Sequence, residues 1–117
     1  MATQRFVERP PEYEAVQYIV VRGKPKNLEE ILEFLGPEWQ VERVNGGGTA
    51  DFRRYRNGKP VDKFKYARAT LRLWNKCWVV RQSNVNRHYV SMKDDKSMHA
   101  EFMPVGYVHR HGEEDRA

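Results

Sequence analysis

The stretch from Leu71 to Val105, LRLWNKCWVVRQSNVNRHYVSMKDDKSMHAEFMPV, alternates apolar and polar residues over most of its length. A period of two is the signature of strands with one buried face, so this third of the chain predicts antiparallel sheet. Trp78 and Val80 on one side of a polar turn from Gln82 to Arg87, with His88, Val90 and Met92 on the other, predict a hairpin. Asp94 to Ser97 read as a polar turn with room for one turn of helix. Met98, Ala100 and Phe102 then resume the alternation, predicting a last strand that Pro104 ends. No arrangement here serves a catalytic mechanism, and the expectation shifts from an enzyme to a module that works by its surface.

Upstream, local signals set the remaining elements. Residues 1–11 predict an extended arm, because Pro10 and Pro11 each remove a backbone donor and bias Arg9 away from helix. Glu12 to Val21, EYEAVQYIVV, is rich in β-branched and aromatic residues and predicts a first strand, which RGKPK from Arg22 turns. Leu28, Ile31, Leu32 and Leu35 then form one apolar helical stripe. Asn27 is placed to cap this helix with Glu30 as its capping-box partner, and Gly36-Pro37 stop it. Glu29, Glu30 and Glu33 read as its solvated face. Trp39 to Val44 alternate as a second strand, Asn45 to Thr49 form a glycine-rich loop, and Asn57-Gly58 is the pair best suited to a tight hairpin turn. Residues 106–117 are charged and predict a frayed tail. The order predicts one α+β domain over residues 12–105, with one short helix packed on a small, mainly antiparallel sheet of about five to seven strands.

Composition narrows the function classes. Fourteen aromatic residues among 117 supply the large buried areas a disordered chain lacks, and a net charge of +5 favours polyanionic partners without requiring them. The single cysteine, Cys77, has no internal disulfide partner, and no apolar run or N-terminal leader suggests a membrane span or secretion. The expectation is a cytoplasmic protein, monomer or homodimer. Metal binding is disfavoured: a structural zinc site needs four ligands at short spacings, whereas this chain offers only Cys77, His88, His99 and the tail pair His109 and His111. Gly46-Gly47-Gly48 leads into a strand rather than a helix, so it is no phosphate loop. Cys77 beside a histidine carries no nucleophile motif and reads as a buried thiol. Neither a catalytic residue nor a cofactor is expected.

Certain residues also carry a resemblance. EAVQY at Glu14 to Tyr18, NLEEILEFLG at Asn27 to Gly36, WVVR at Trp78 to Arg81 and the segment His99 to Val105 are similar to a family of small tailed-bacteriophage and prophage proteins. Members of that family open with a VEAVQW-like strand and a NLEEIxEFxG-like helix, and close with GDWVIRG-like and TYEPV-like segments. The chain departs from the pattern at Asn75-Lys76-Cys77, where the family has Pro-Gly-Asp, and at Lys96 to Met98. The resemblance implies a phage-encoded origin and an α+β fold, and it implies no enzymatic activity.

Two surfaces stand out. Between Arg53 and Arg72 the only acid is Asp62, and Arg53, Arg54, Arg56, Lys59, Lys63 and Lys65 interleave with Tyr55, Phe64 and Tyr66. On one hairpin face, such cations would track phosphates while the rings stack on bases. Trp74, Arg81 and Tyr89 are the residues expected at a protein-binding surface, although in so small a chain at least two of Trp74, Trp78 and Tyr89 are expected in the core. The leading expectation is an accessory protein that binds a host or phage protein. Nucleic-acid binding through the central hairpin is the alternative, and sequestration of a small anionic nucleotide a third.

Overall fold

The computed structural model describes residues 3–6, 11–62 and 68–103. The chain is α+β and mostly sheet, with nine strands and two helices among the described residues. Strands β1 (Tyr13–Gln17), β8 (Trp78–Gln82) and β9 (Val90–Lys93) form one antiparallel sheet in the order β1-β8-β9. A second sheet has β5 (Ala50–Arg56) at its centre, with β4 (Trp39–Val44) on one side and both β6 (Lys59–Pro60) and β7 (Thr70–Leu73) paired along it. Among the described residues, the short strands β2 (Val20–Val21) and β3 (Lys24–Pro25) pair only with each other. Helix α1 (Leu28–Leu35) joins this small hairpin to β4, and α2 (Asp95–Glu101) follows β9.

The core collects one face of each sheet and the stripe of α1. Ile31 and Leu35 from the helix meet Phe52, Leu71 and Leu73 from the second sheet and Val79 and Val90 from the first, with Tyr18, Trp39 and Cys77 between. Fully burying aliphatic or aromatic side chains of this size contributes roughly 1.5–3 kcal/mol each. Tyr18 is completely enclosed and donates its hydroxyl hydrogen to the Gly48 carbonyl at 2.5 Å, so its one polar atom is satisfied.

The Asn57-Gly58 turn forms as expected, with φ of 53° and 75° at its two residues. Its returning arm is interrupted: β6 ends at Pro60, and the pairing with β5 resumes at Thr70. Arg54 marks the junction, since its carbonyl accepts from the Val61 amide while its own amide donates to the Ala69 carbonyl.

Three expectations need correction. The long first strand is broken at Tyr18-Ile19 because Arg22-Gly23, with φ of 53° and 74°, folds Val20–Val21 back on Lys24–Pro25 as a separate tight hairpin. The closing strand does not form. Asp94 accepts a hydrogen bond from the Ser97 amide at 2.7 Å and starts α2, so a second helix replaces it. Asn27, third, does not cap α1: its side-chain oxygen accepts from the Ile19 amide at 3.0 Å and its NH₂ donates to the Gln17 carbonyl at 2.7 Å. It also donates to Glu30 at 3.3 Å, so the expected pair meets, but as a clip joining helix to strand. The 106–117 tail, Pro104 and most of the predicted arm's end lie outside the described residues. No helix among the described residues is long and apolar enough to cross a membrane.

Candidate functional site

The β8–β9 hairpin carries the exposed Tyr89, and three side chains fasten it to the rest of the molecule. Helix α1 has no basic residue in its last turn. Arg81 supplies the missing cation from β8, donating to the Phe34 carbonyl at 2.6 Å, lying 4.0 Å over the Phe34 ring, and pairing with Glu14 at 3.2 Å. Arg87, from the hairpin loop, covers the end of the same helix so closely that a Cβ on Gly36 would lie 2.5 Å from its guanidinium. Gly36 has φ of 102°, so both its backbone and its missing side chain are required here.

His88 is the third fastening. It is 8% exposed and sits in a polar chain reaching to the second sheet. The Trp39 indole N–H can only donate, and it points at His88 Nδ1 at 3.3 Å. The proton of neutral His88 therefore sits on Nε2, which faces Glu38 Oε2 at 3.1 Å. The other Glu38 oxygen lies 3.5 Å from Arg54 and 3.6 Å from Arg56. Burial and the Arg54 charge hold the His88 imidazole below its ordinary pKa, outweighing the pull of Glu38. Desolvation pulls the Glu38 carboxyl upward, but Arg54, His88 and Arg56 together outweigh it and leave the group below the usual carboxylate range.

Held in this way, the hairpin presents a groove on the outer face of the first sheet, lined by Tyr13, Val80, Val85, Tyr89, Ser91 and Phe102 among others. Tyr13, Val85 and Tyr89 are exposed, and Tyr13 meets Phe102 edge to face at 4.9 Å. The two charged residues on its lining, Arg81 and Lys93, are each neutralised by a carboxylate, Glu14 and Glu101 respectively. The groove is thus aromatic and close to neutral. Beside it runs the edge of β9, which pairs with no second strand among the described residues and where Arg68 donates to the Val90 carbonyl at 3.2 Å. Because antiparallel strands turn alternate residues outward, Met92 presents the next outward-facing backbone groups.

The residues singled out in the sequence are distributed unevenly. Arg81 and Tyr89 both line the groove, yet the Arg81 guanidinium turns to the opposite side, against α1, and works as a fastener. Trp74 is 42% exposed but lies in the β7–β8 turn, away from this lining. The expectation that two of the three aromatics are buried does not hold, since Tyr89 is also open and Trp78 is half-buried, donating to Asp95 of α2 at 2.9 Å. In the basic hairpin, Arg54 is 3% exposed and occupied by Glu38, because β5 turns Ala50, Phe52 and Arg54 to the core and Arg53 to the other face. Arg56 shares Glu38, Lys59 is exposed, and Lys63 and Lys65 lie outside the described residues. The described cations of this hairpin do not converge on one face. Cys77 is fully buried and its thiol pushed up by desolvation, and no group of metal-ligating side chains forms among the described residues.

Comparisons with protein-family models, curated proteins and solved structures give no match. The groove therefore has to be read from its own chemistry. Sequence reasoning missed Tyr13, Val85 and Phe102 as its walls, because they come from three separate elements.

Proposed function

We propose that this chain is a small phage-encoded accessory protein that binds a host or phage protein in the host cytoplasm and catalyses nothing. The observation that carries the reading is the neutral, largely aromatic groove of Tyr13, Val85, Tyr89 and Phe102 beside the edge of β9 that has no second strand partner among the described residues. Its occupant is an extended segment of the partner protein. Main-chain hydrogen bonds to the outward groups of β9 supply affinity, and apolar side chains entering the groove supply selectivity. Charge argues the same way: with Arg81 and Lys93 already neutralised, the groove offers little to a polyanion and much to apolar side chains. The resemblance to small tailed-phage proteins supports the biological setting.

The test is affinity capture from nuclease-treated host lysate with the wild-type chain and with a Tyr13→Ala/Tyr89→Ala variant. Both side chains are exposed, so the variant should melt close to wild type while losing the captured protein. A partner retained by the variant, or retention of nucleic acid alone before nuclease, refutes the reading.

A further inference from the structure

At the other end of β8 from this groove, three turns meet. The Val20 amide of the β2–β3 hairpin donates to Asn75 of the β7–β8 turn at 2.9 Å, and the Lys76 amide donates to the Tyr18 carbonyl at 2.7 Å. The tip of the same hairpin touches the glycine-rich β4–β5 loop: a Cβ on Gly23 would lie 3.4 Å from the Gly46 carbonyl, and Gly48 packs against Val20. The convergence gathers Arg22, Lys24 and Lys26 from one turn, Lys76 from the second, and the open backbone of Gly46 and Gly47 from the third. All four cations are exposed, and among the described residues none of them pairs with a carboxylate. The segments 19–26 and 72–77 contain no acid at all. Trp74 stands exposed on the Lys76 turn, and Val21 is exposed on the hairpin.

We infer that this three-turn end binds single-stranded nucleic acid. Arg22, Lys24, Lys26 and Lys76 meet the phosphates, and the Trp74 ring stacks on a base. Charge complementarity argues for a polyanion, since the cations here are unneutralised, unlike those of the groove or Arg54 of the basic hairpin. The exposed indole argues for nucleic acid over an acidic peptide, because every base offers a π-face to stack on. Gly46 and Gly47, with no atom near the place of a Cβ, let a backbone approach closely. This surface is separate from the proposed protein-binding groove and does not depend on it.

The test uses the whole chain with fluorescent single-stranded DNA and RNA oligonucleotides of mixed sequence, read by anisotropy across a salt series. Four phosphate contacts predict a slope of log affinity against log salt of roughly −2.8. Lys24→Glu/Lys76→Glu should weaken binding about tenfold or more and reduce the slope to roughly −1.4. Trp74→Ala should weaken binding about fivefold or more, with Trp74→Phe largely restoring it. Tyr13→Ala/Tyr89→Ala and Arg56→Glu/Lys59→Glu should leave binding unchanged, with circular dichroism confirming the fold of each. The inference is overturned if neither oligonucleotide binds at low salt, if an acidic peptide binds and the oligonucleotides do not, or if only Arg56→Glu/Lys59→Glu abolishes binding.

Discussion

Replacing Glu38 with glutamine tests the polar chain that fastens the β8–β9 hairpin to the second sheet. The substitution keeps the shape of the side chain and removes its charge, so Arg54, 3% exposed, loses the Glu38 carboxylate 3.5 Å away, and His88 loses the anion 3.1 Å from Nε2. Breaking a buried pair by removing one partner costs about 3–5 kcal/mol when both charges are dry. Glu38 is 30% exposed and solvent screens part of the interaction, which lowers the expected cost to about 2 kcal/mol. For a domain of this size that is a fall in melting temperature of roughly 6–12 °C. Urea denaturation at neutral pH measures it, beside Arg72→Gln, which breaks the exposed pair with Asp51 and should change stability little. A Glu38→Gln midpoint indistinguishable from that of wild type would refute the account of the chain as a fastener.

The remaining expectations are quicker to check. Stability should fall as pH drops below about 6.5, because unfolded His88 takes up a proton that the folded imidazole resists, and fall further below about 4.5 as the Glu38 carboxylate is titrated; urea midpoints that rise on acidification would reverse the sign. Asn27→Asp keeps an acceptor and is an excellent helix cap, so a capping role predicts no loss, whereas the clip to the Gln17 carbonyl at 2.7 Å predicts a loss of about 1 kcal/mol. Cys77 should resist thiol reagents in the native protein and react promptly in denaturant, as its full burial and raised pKa require.

Elements fixed by neighbours in sequence were legible. The stripe of α1 and the Asn57-Gly58 turn announce themselves within a few residues, and the alternation of Trp78–Arg81 against Val90–Met92 located the β8–β9 hairpin. The misreading of α2 has a local cause: Met98, Ala100 and Phe102 satisfy a period of two, while the Asp94 cap and the helix-forming run to Glu101 satisfy a helix, and the cap prevails. Arg54 shows a different limit. The sequence reading grouped it with the surface cations, whereas β5 turns Ala50, Phe52 and Arg54 to the core; its partner Glu38 sits beyond a strand and a loop, and only the pairing of Trp39 with Arg54 brings the two together. The groove was half legible for the same reason. Tyr89 could be named from its own hairpin, while Tyr13 and Phe102 join it only once β1 has paired with β8 and α2 has folded back.

Site-specific photocrosslinking in cells that express the chain bears most directly on the proposed binding groove. A photoreactive phenylalanine analogue placed at Tyr89 should capture one discrete protein partner, and the same analogue at Lys59, on the tip of the central hairpin, should not. Capture of that partner from Lys59 and not from Tyr89 would contradict the assignment of this face as the binding surface.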